Sequence, residues 1–113
     1  MTMIYKIFRS DEYADFVAKG QTLGAPIDIA DGFVHFSTAE QAAETAAKHF
    51  AEETGLKLLA INGAACGDAL KWEESRGGAL FPHLYRPLTA KDVIWARDLP
   101  YKDGHHQFEE ALT

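Results

Sequence analysis

A helix start is written at Thr38-Ala-Glu-Gln41, directly behind an alternating apolar stretch, and it is the most sharply defined element of the chain. In this capping box the Thr38 and Gln41 side chains each satisfy the other residue's backbone N–H. The helix is expected to run to about residue 54, with Ala42, Ala43, Ala46 and Phe50 towards the core and Gly55 as its stop. Residues 32–37 (Gly-Phe-Val-His-Phe-Ser) read as the strand before it. Two-residue alternation sets Phe33, His35 and Ser37 on one face and Val34 and Phe36 on the other.

The other elements follow from periodicity and breakers. Residues 3–8 are aromatic and β-branched and read as an opening strand, with Lys6 interrupting the apolar run. Ser10 offers an N-cap, Tyr13, Phe16 and Val17 share a helical face, and Gly20 stops that helix. Residues 21–32 carry Gly24, Pro26, Asp28 and Asp31 without period and read as a loop with at most a turn of helix. Residues 56–61 are nearly continuous apolar, as in a central strand, and Asn62-Gly63 signals a turn before a short loop at 64–68. Strands are read at 69–73 and 93–99, the latter ended by Pro100. The sum is α+β: two main helices on a twisted, largely antiparallel, split sheet. One domain spans residues 1–100, and 101–113 is a polar tail, loosely held or a short helix, in which His105-His106 are solvated.

Composition narrows the function classes. At 113 residues, division would leave two pieces too small for a core, so one domain is expected. Seventeen acids against eleven Lys and Arg give a formal charge of −6, which argues against general nucleic-acid binding. A local Arg still allows a small anionic ligand. The lone Cys66 cannot form an intrachain disulfide and reads as a buried or incidental thiol, which suits a cytoplasmic setting. No signal peptide or membrane-spanning run is visible, and no membrane partner is expected.

The richest chemistry lies at residues 72–85, Trp-Glu-Glu-Ser-Arg-Gly-Gly-Ala-Leu-Phe-Pro-His-Leu-Tyr. Gly77 and Gly78 permit positive φ, and Arg76 beside them suits bidentate capture of phosphate or carboxylate. Past Pro82, alternation aligns Phe81, His83 and Tyr85 on one side and Leu84 on the other. His83 is an acid–base candidate and Tyr85 offers a hydrogen bond, while Glu73 and Glu74 bring carboxylates near Arg76. His35, Ser37 and Thr38 form a second set at a helix N-terminus, able to hold a ribose, phosphate or amide. The blander alternatives stand beside these: His35 hydrogen-bonded within the fold, Glu73, Glu74 and Arg76 as surface charges, His83 and Tyr85 as packing groups. No Cys-x-x-Cys and no helical His-x-x-x-His occurs, so no metal is expected.

Residues 32–38 with Gln41, then Trp72-Glu73 followed by residues 75–85, resemble the family called domain of unknown function 952. That family is grouped remotely with the ADP-ribosyltransferase-like fold, whose cleft takes NAD in active members. The resemblance implies NAD or an ADP-ribose-like nucleotide as ligand. It sets His35 and Ser37 against the nicotinamide ribose, Arg76 near phosphate, and Glu73 as the acid steering ribosyl transfer. The family's opening Ile-Tyr-His-Ile reads Ile4-Tyr5-Lys6-Ile7 here, which substitutes a fixed charge for an imidazole. Whether the chain is an enzyme stays open. The alternatives are a non-catalytic module binding a small ligand or peptide end, and a purely structural role for the motifs.

Overall fold

A computed structural model describes residues 2–75 and 77–112, with only the backbone of Glu109 and Glu110. In chain order the elements are β1 (Met3–Phe8), α1 (Ser10–Lys19), β2 (Gln21–Thr22), α2 (Pro26–Asp31), β3 (Val34–His35) and α3 (Ala39–His49). β4 (Leu56–Asn62) follows, then a 3₁₀ segment, Gly63–Ala69, β5 (Leu70–Ser75) and β6 (Ala79–Leu84). The chain continues as β7 (Leu88–Thr89), β8 (Val93–Leu99), β9 (Tyr101–Lys102), β10 (His105–His106) and α4 (Phe108–Leu112). No helix among the described residues is long and apolar enough to cross a membrane.

The antiparallel strands expected from alternation form two three-stranded sheets, β1-β4-β8 and β3-β6-β5, with small ribbons β2-β7 and β9-β10 beside them. β4 is central in the first because residues 58–61 are buried on both faces. Among the described residues, one isolated bridge stitches the two sheets together. Tyr5 N–H donates to the Ser37 carbonyl at 2.8 Å, and Ser37 N–H returns a bond to the Tyr5 carbonyl at 2.9 Å. This seam puts Lys6 and His35 next to each other.

The core lies in two parts on opposite faces of the first sheet. Ile4, Phe8, Phe16, Val34, Phe36, Leu59, Ile61 and Leu84 fill one; Tyr5, Ile7, Ala46, Leu58, Leu99 and Ala111 fill the other. Alternation along β1 sends Ile4 and Phe8 one way and Tyr5 and Ile7 the other, as a two-residue period requires. α3 lies against β1 through the small residues Ala42 and Ala46.

Several boundaries differ from the sequence reading. The N-cap of α1 is Arg9, one residue early, because Glu12 Oε1 accepts the Arg9 N–H at 2.8 Å and closes the first turn there. Val17 is exposed, so α1 buries Phe16 with Tyr13 at its margin. α3 ends at His49 and not near residue 54, and Ala43 faces water. Phe50 leaves the helix and lies under the Arg9 guanidinium, 4.8 Å from its ring centre. The loop at 21–32 does contain the short helix α2. Residues 101–112 are folded: a hairpin and α4 carry Ala111 into the core, and while His105 is exposed, His106 is buried and bonded to the Glu53 carbonyl at 2.9 Å.

Candidate functional site

Asp28 is the hub of the seam. Pro26 starts α2, which places Asp28 in its first turn, with its carboxylate fully buried. Oδ2 accepts the Ala25 N–H and the Lys6 ammonium, each at 2.7 Å. Oδ1 accepts the His35 backbone N–H at 3.0 Å and lies 2.6 Å from His35 Nδ1. Burial alone would push this carboxyl up; the His35 hydrogen bond and the Lys6 charge overcome that and hold it below the ordinary carboxylate range. Burial likewise pulls the Lys6 ammonium below its ordinary value, against the pull of Asp28. Gly24 makes room for the hub. Its φ is +98°, and a Cβ there would stand 2.1 Å from Asp28 Oδ2.

His35 is clamped at both ends. Beyond the Asp28 contact, Nε2 lies 3.1 Å from Asp31 Oδ2, so each ring nitrogen faces a carboxylate oxygen that can only accept. The Lys6 ammonium also donates to the His35 carbonyl at 3.0 Å. His35 is thereby held in place as a polar part of the cavity wall.

His83 is held differently. β3 and β6 pair with His35 opposite His83, which brings their ring centres to 5.2 Å. Glu73, on β5, crosses to β6: its Oε1 is 2.8 Å from His83 Nδ1 and accepts the Tyr85 hydroxyl at 2.6 Å. The Tyr85 bond, then the His83 bond, keeps the Glu73 carboxyl below its ordinary range, and Glu73 in turn pushes the Tyr85 phenol up. Phe33 backs the group, with ring centres 4.6 Å from His35, 4.2 Å from His83 and 5.1 Å from Tyr85.

Between the sheets lies a cavity of about 530 Å³, within the usual range for small-molecule sites. Its polar wall includes Lys6, His35, Ser37, Thr45 and His83, and its apolar wall includes Phe36, Phe50 and Phe81. Ser37 Oγ and Thr45 Oγ1 share a hydrogen bond of 3.0 Å. Among the described residues, no group of three His, Cys, Asp or Glu side chains could hold a metal ion.

The structure therefore brings His35, Ser37 and His83, read from segments some forty residues apart in sequence, into one cavity. Glu73 and Tyr85 are not among its described lining residues; they sit behind His83, and Tyr85 lines a separate hollow with Phe33. Thr38 is spent on its cap: its Oγ1 accepts the Gln41 N–H at 3.2 Å, and Gln41 Oε1 accepts the Thr38 N–H at 3.0 Å. Arg76 lies outside the described residues. Sequence reasoning passed over Asp28 and Asp31 as loop acids. Pro26 followed two residues later by an acid was the available sign of a helix start.

These features define a class: a small α+β protein with two antiparallel sheets joined over a histidine-walled cavity. The chain belongs to the family described as "Protein of unknown function (DUF952)", whose model matches residues 7–96, beginning one residue after Lys6. It is similar in structure to protein CC0527 from Caulobacter crescentus at 48% sequence identity. The crystal structure of that protein superposes with a TM-score of 0.93 over 98% of each chain. Its solution NMR structure superposes with a TM-score of 0.88, over 100% of this chain and 98% of that one. No curated protein matches the chain.

Proposed function

We propose that the cavity binds a small anionic, nucleotide-type ligand such as NAD or ADP-ribose, with His83 as the group available for acid–base work on it. The observation that carries this reading is the convergence of Lys6, His35, Ser37 and His83 on one cavity at the junction of two antiparallel sheets. The ADP-ribosyltransferase-like resemblance gives the same ligand class. Lys6 and Arg9 bring cationic side chains to the described lining, beside the carboxylates of Asp28 and Asp31. Burial of the lone thiol, Cys66, suits a reducing, cytoplasmic setting.

A binding module without catalysis is the second reading, and one observation favours it. Ribosyl transfer needs a carboxylate facing the reacting carbon, whereas Asp28, Asp31 and Glu73 are all engaged by neighbouring side chains. In this reading Glu73 orients His83 and does not touch ligand.

Titration of ¹⁵N-labelled protein with ADP-ribose and with NAD to millimolar concentration tests binding. Amide shifts at Lys6, Ser37 and His83 are expected; unchanged spectra with both ligands would remove the nucleotide reading. Release of nicotinamide on incubation with NAD separates an enzyme from a module.

A further inference from the structure

His83 is more than nine-tenths buried, and it lines the cavity with a ring nitrogen still to be satisfied. Its Nδ1 is taken by Glu73, an ionised carboxylate that only accepts, so Nδ1 carries the proton. In the neutral ring Nε2 is then a lone pair, and no described residue donates to it. Around the cavity, Lys6 donates to Asp28 and the His35 carbonyl, the His35 ring nitrogens face Asp28 and Asp31, and Ser37 shares a hydrogen bond with Thr45. A buried acceptor without a donor is costly, so whatever fills the cavity should bring one.

We infer that Nε2 of His83 is a hydroxyl-donor subsite: the ligand is seated with an alcohol group, as on a sugar ring, donating its proton to Nε2. This rests on the nucleotide reading above and deepens it, because it assigns the ribose hydroxyls, and not the base or the phosphates, to the β6 side of the cavity. Glu73 is the positioning residue. By holding the proton on Nδ1 it turns the ring into an acceptor towards the cavity and strengthens that acceptor, as carboxylate–histidine pairs do. Tyr85, donating to the same Oε1, keeps the carboxylate oriented. The arrangement discriminates by chemistry. A ligand presenting a bare acceptor at this point, such as a carbonyl or phosphate oxygen, would meet a lone pair. A hydroxyl would find its partner.

The experiment is ¹⁵N NMR of the imidazole nitrogens at a pH where the ring is neutral. In the ligand-free protein His83 should show a protonated Nδ1 and an unprotonated Nε2, and Glu73→Gln should redistribute the proton between them while the fold is retained. A protonated Nε2 in the wild type overturns the inference. ADP-ribose should then move the Nε2 resonance in the direction of hydrogen-bond acceptance, while inorganic pyrophosphate, which carries no sugar, should leave it in place. Amide shifts around Lys6 and Ser37 with ADP-ribose but a stationary Nε2 would overturn the subsite and spare the nucleotide reading. If ADP-ribose and NAD both leave every resonance unmoved, that reading falls, and D-ribose at high concentration decides the subsite: an Nε2 shift supports it and none overturns it.

Discussion

Lys6 Nζ lies 2.7 Å from Asp28 Oδ2, with both side chains withdrawn from water, and this pair ties the opening strand to α2 at the edge of the cavity. Removing one partner of a buried ion pair leaves the other uncompensated, at a cost of about 3–5 kcal/mol. Asp28→Asn should cost at the upper end of that range, because the carboxylate also accepts the Ala25 and His35 N–H groups. Lys6→Met should cost less, and the double variant less than the sum of the two. Urea unfolding of the three variants measures this. A loss under about 1 kcal/mol for Asp28→Asn would show that the pair is not shielded as described.

The same carboxylate predicts an acid limb of stability. Its folded-state pKa lies below the unfolded value, so the folded state binds fewer protons between the two. The stabilisation is complete above the unfolded value of about 3.9 and is lost as pH falls through the lower folded one. Stability should therefore decline below about pH 4, and Asp28→Asn should flatten that limb while lowering the plateau at neutral pH. Denaturant midpoints across an acid pH series read both effects. An unchanged slope in the variant would assign the acid limb to other carboxylates, Asp92 beside Arg86 first among them.

His83 and Glu73 separate stability from site chemistry. His83 is buried, and His83→Ala should destabilise by roughly 1–3 kcal/mol through its lost hydrogen bond and contacts. Glu73 is half exposed, so Glu73→Gln should melt where the wild type does and change only the behaviour of the imidazole. Thermal melts of both variants check this. Equal destabilisation would make the Glu73–His83 contact a structural one.

How far the sequence reached follows from the range of each interaction. The Thr38–Gln41 box spans four residues and was legible as a pattern; so was β4, whose continuous apolar run needs no partner to be recognised. The end of α3 was not, because Gly55 offers a helix stop while the helix closes at Phe50, whose ring packs against the second part of the core and under Arg9 on another element. Asp28 escaped for the same reason. Its partner Lys6 is 22 positions away, and no spacing rule connects a loop acid to a strand lysine. Alternation did align His83 and Tyr85, yet it could not show that Glu73 would bond both across a strand pair.

Gly24 should be irreplaceable for two separate reasons. At φ +98° an L side chain is strained, and a Cβ would collide with Asp28 Oδ2 at 2.1 Å. Gly20, at φ +75° with nothing within 4 Å of a Cβ, carries the first reason alone. Gly20→Ala should cost about 1 kcal/mol. Gly24→Ala should cost more and should loosen the Lys6–Asp28 pair as well. Amide shifts at Lys6 and His35 in the Gly24 variant, absent in the Gly20 variant, distinguish collision from strain.

The polar composition of residues 101–112 conceals a packing role. Ala111 is buried with Leu58, Ala60 and Leu99, flanked by Phe108 and Leu112, and the Ala111 carbonyl accepts from Arg97 Nη1 at 2.8 Å. His106 meanwhile bonds the Glu53 carbonyl, and Glu53 holds Arg9 through two hydrogen bonds. A chain cut after residue 100 would expose this side of the first sheet and release both ties. Its loss of stability should be on the order of 2–5 kcal/mol, comparable to truncating a large core side chain. The point variant Ala111→Asp should fall in the same direction by placing an unpaired charge in that core. Urea midpoints for the two variants provide the measurement, and a truncated chain as stable as the full one would return the segment to the status of a tail.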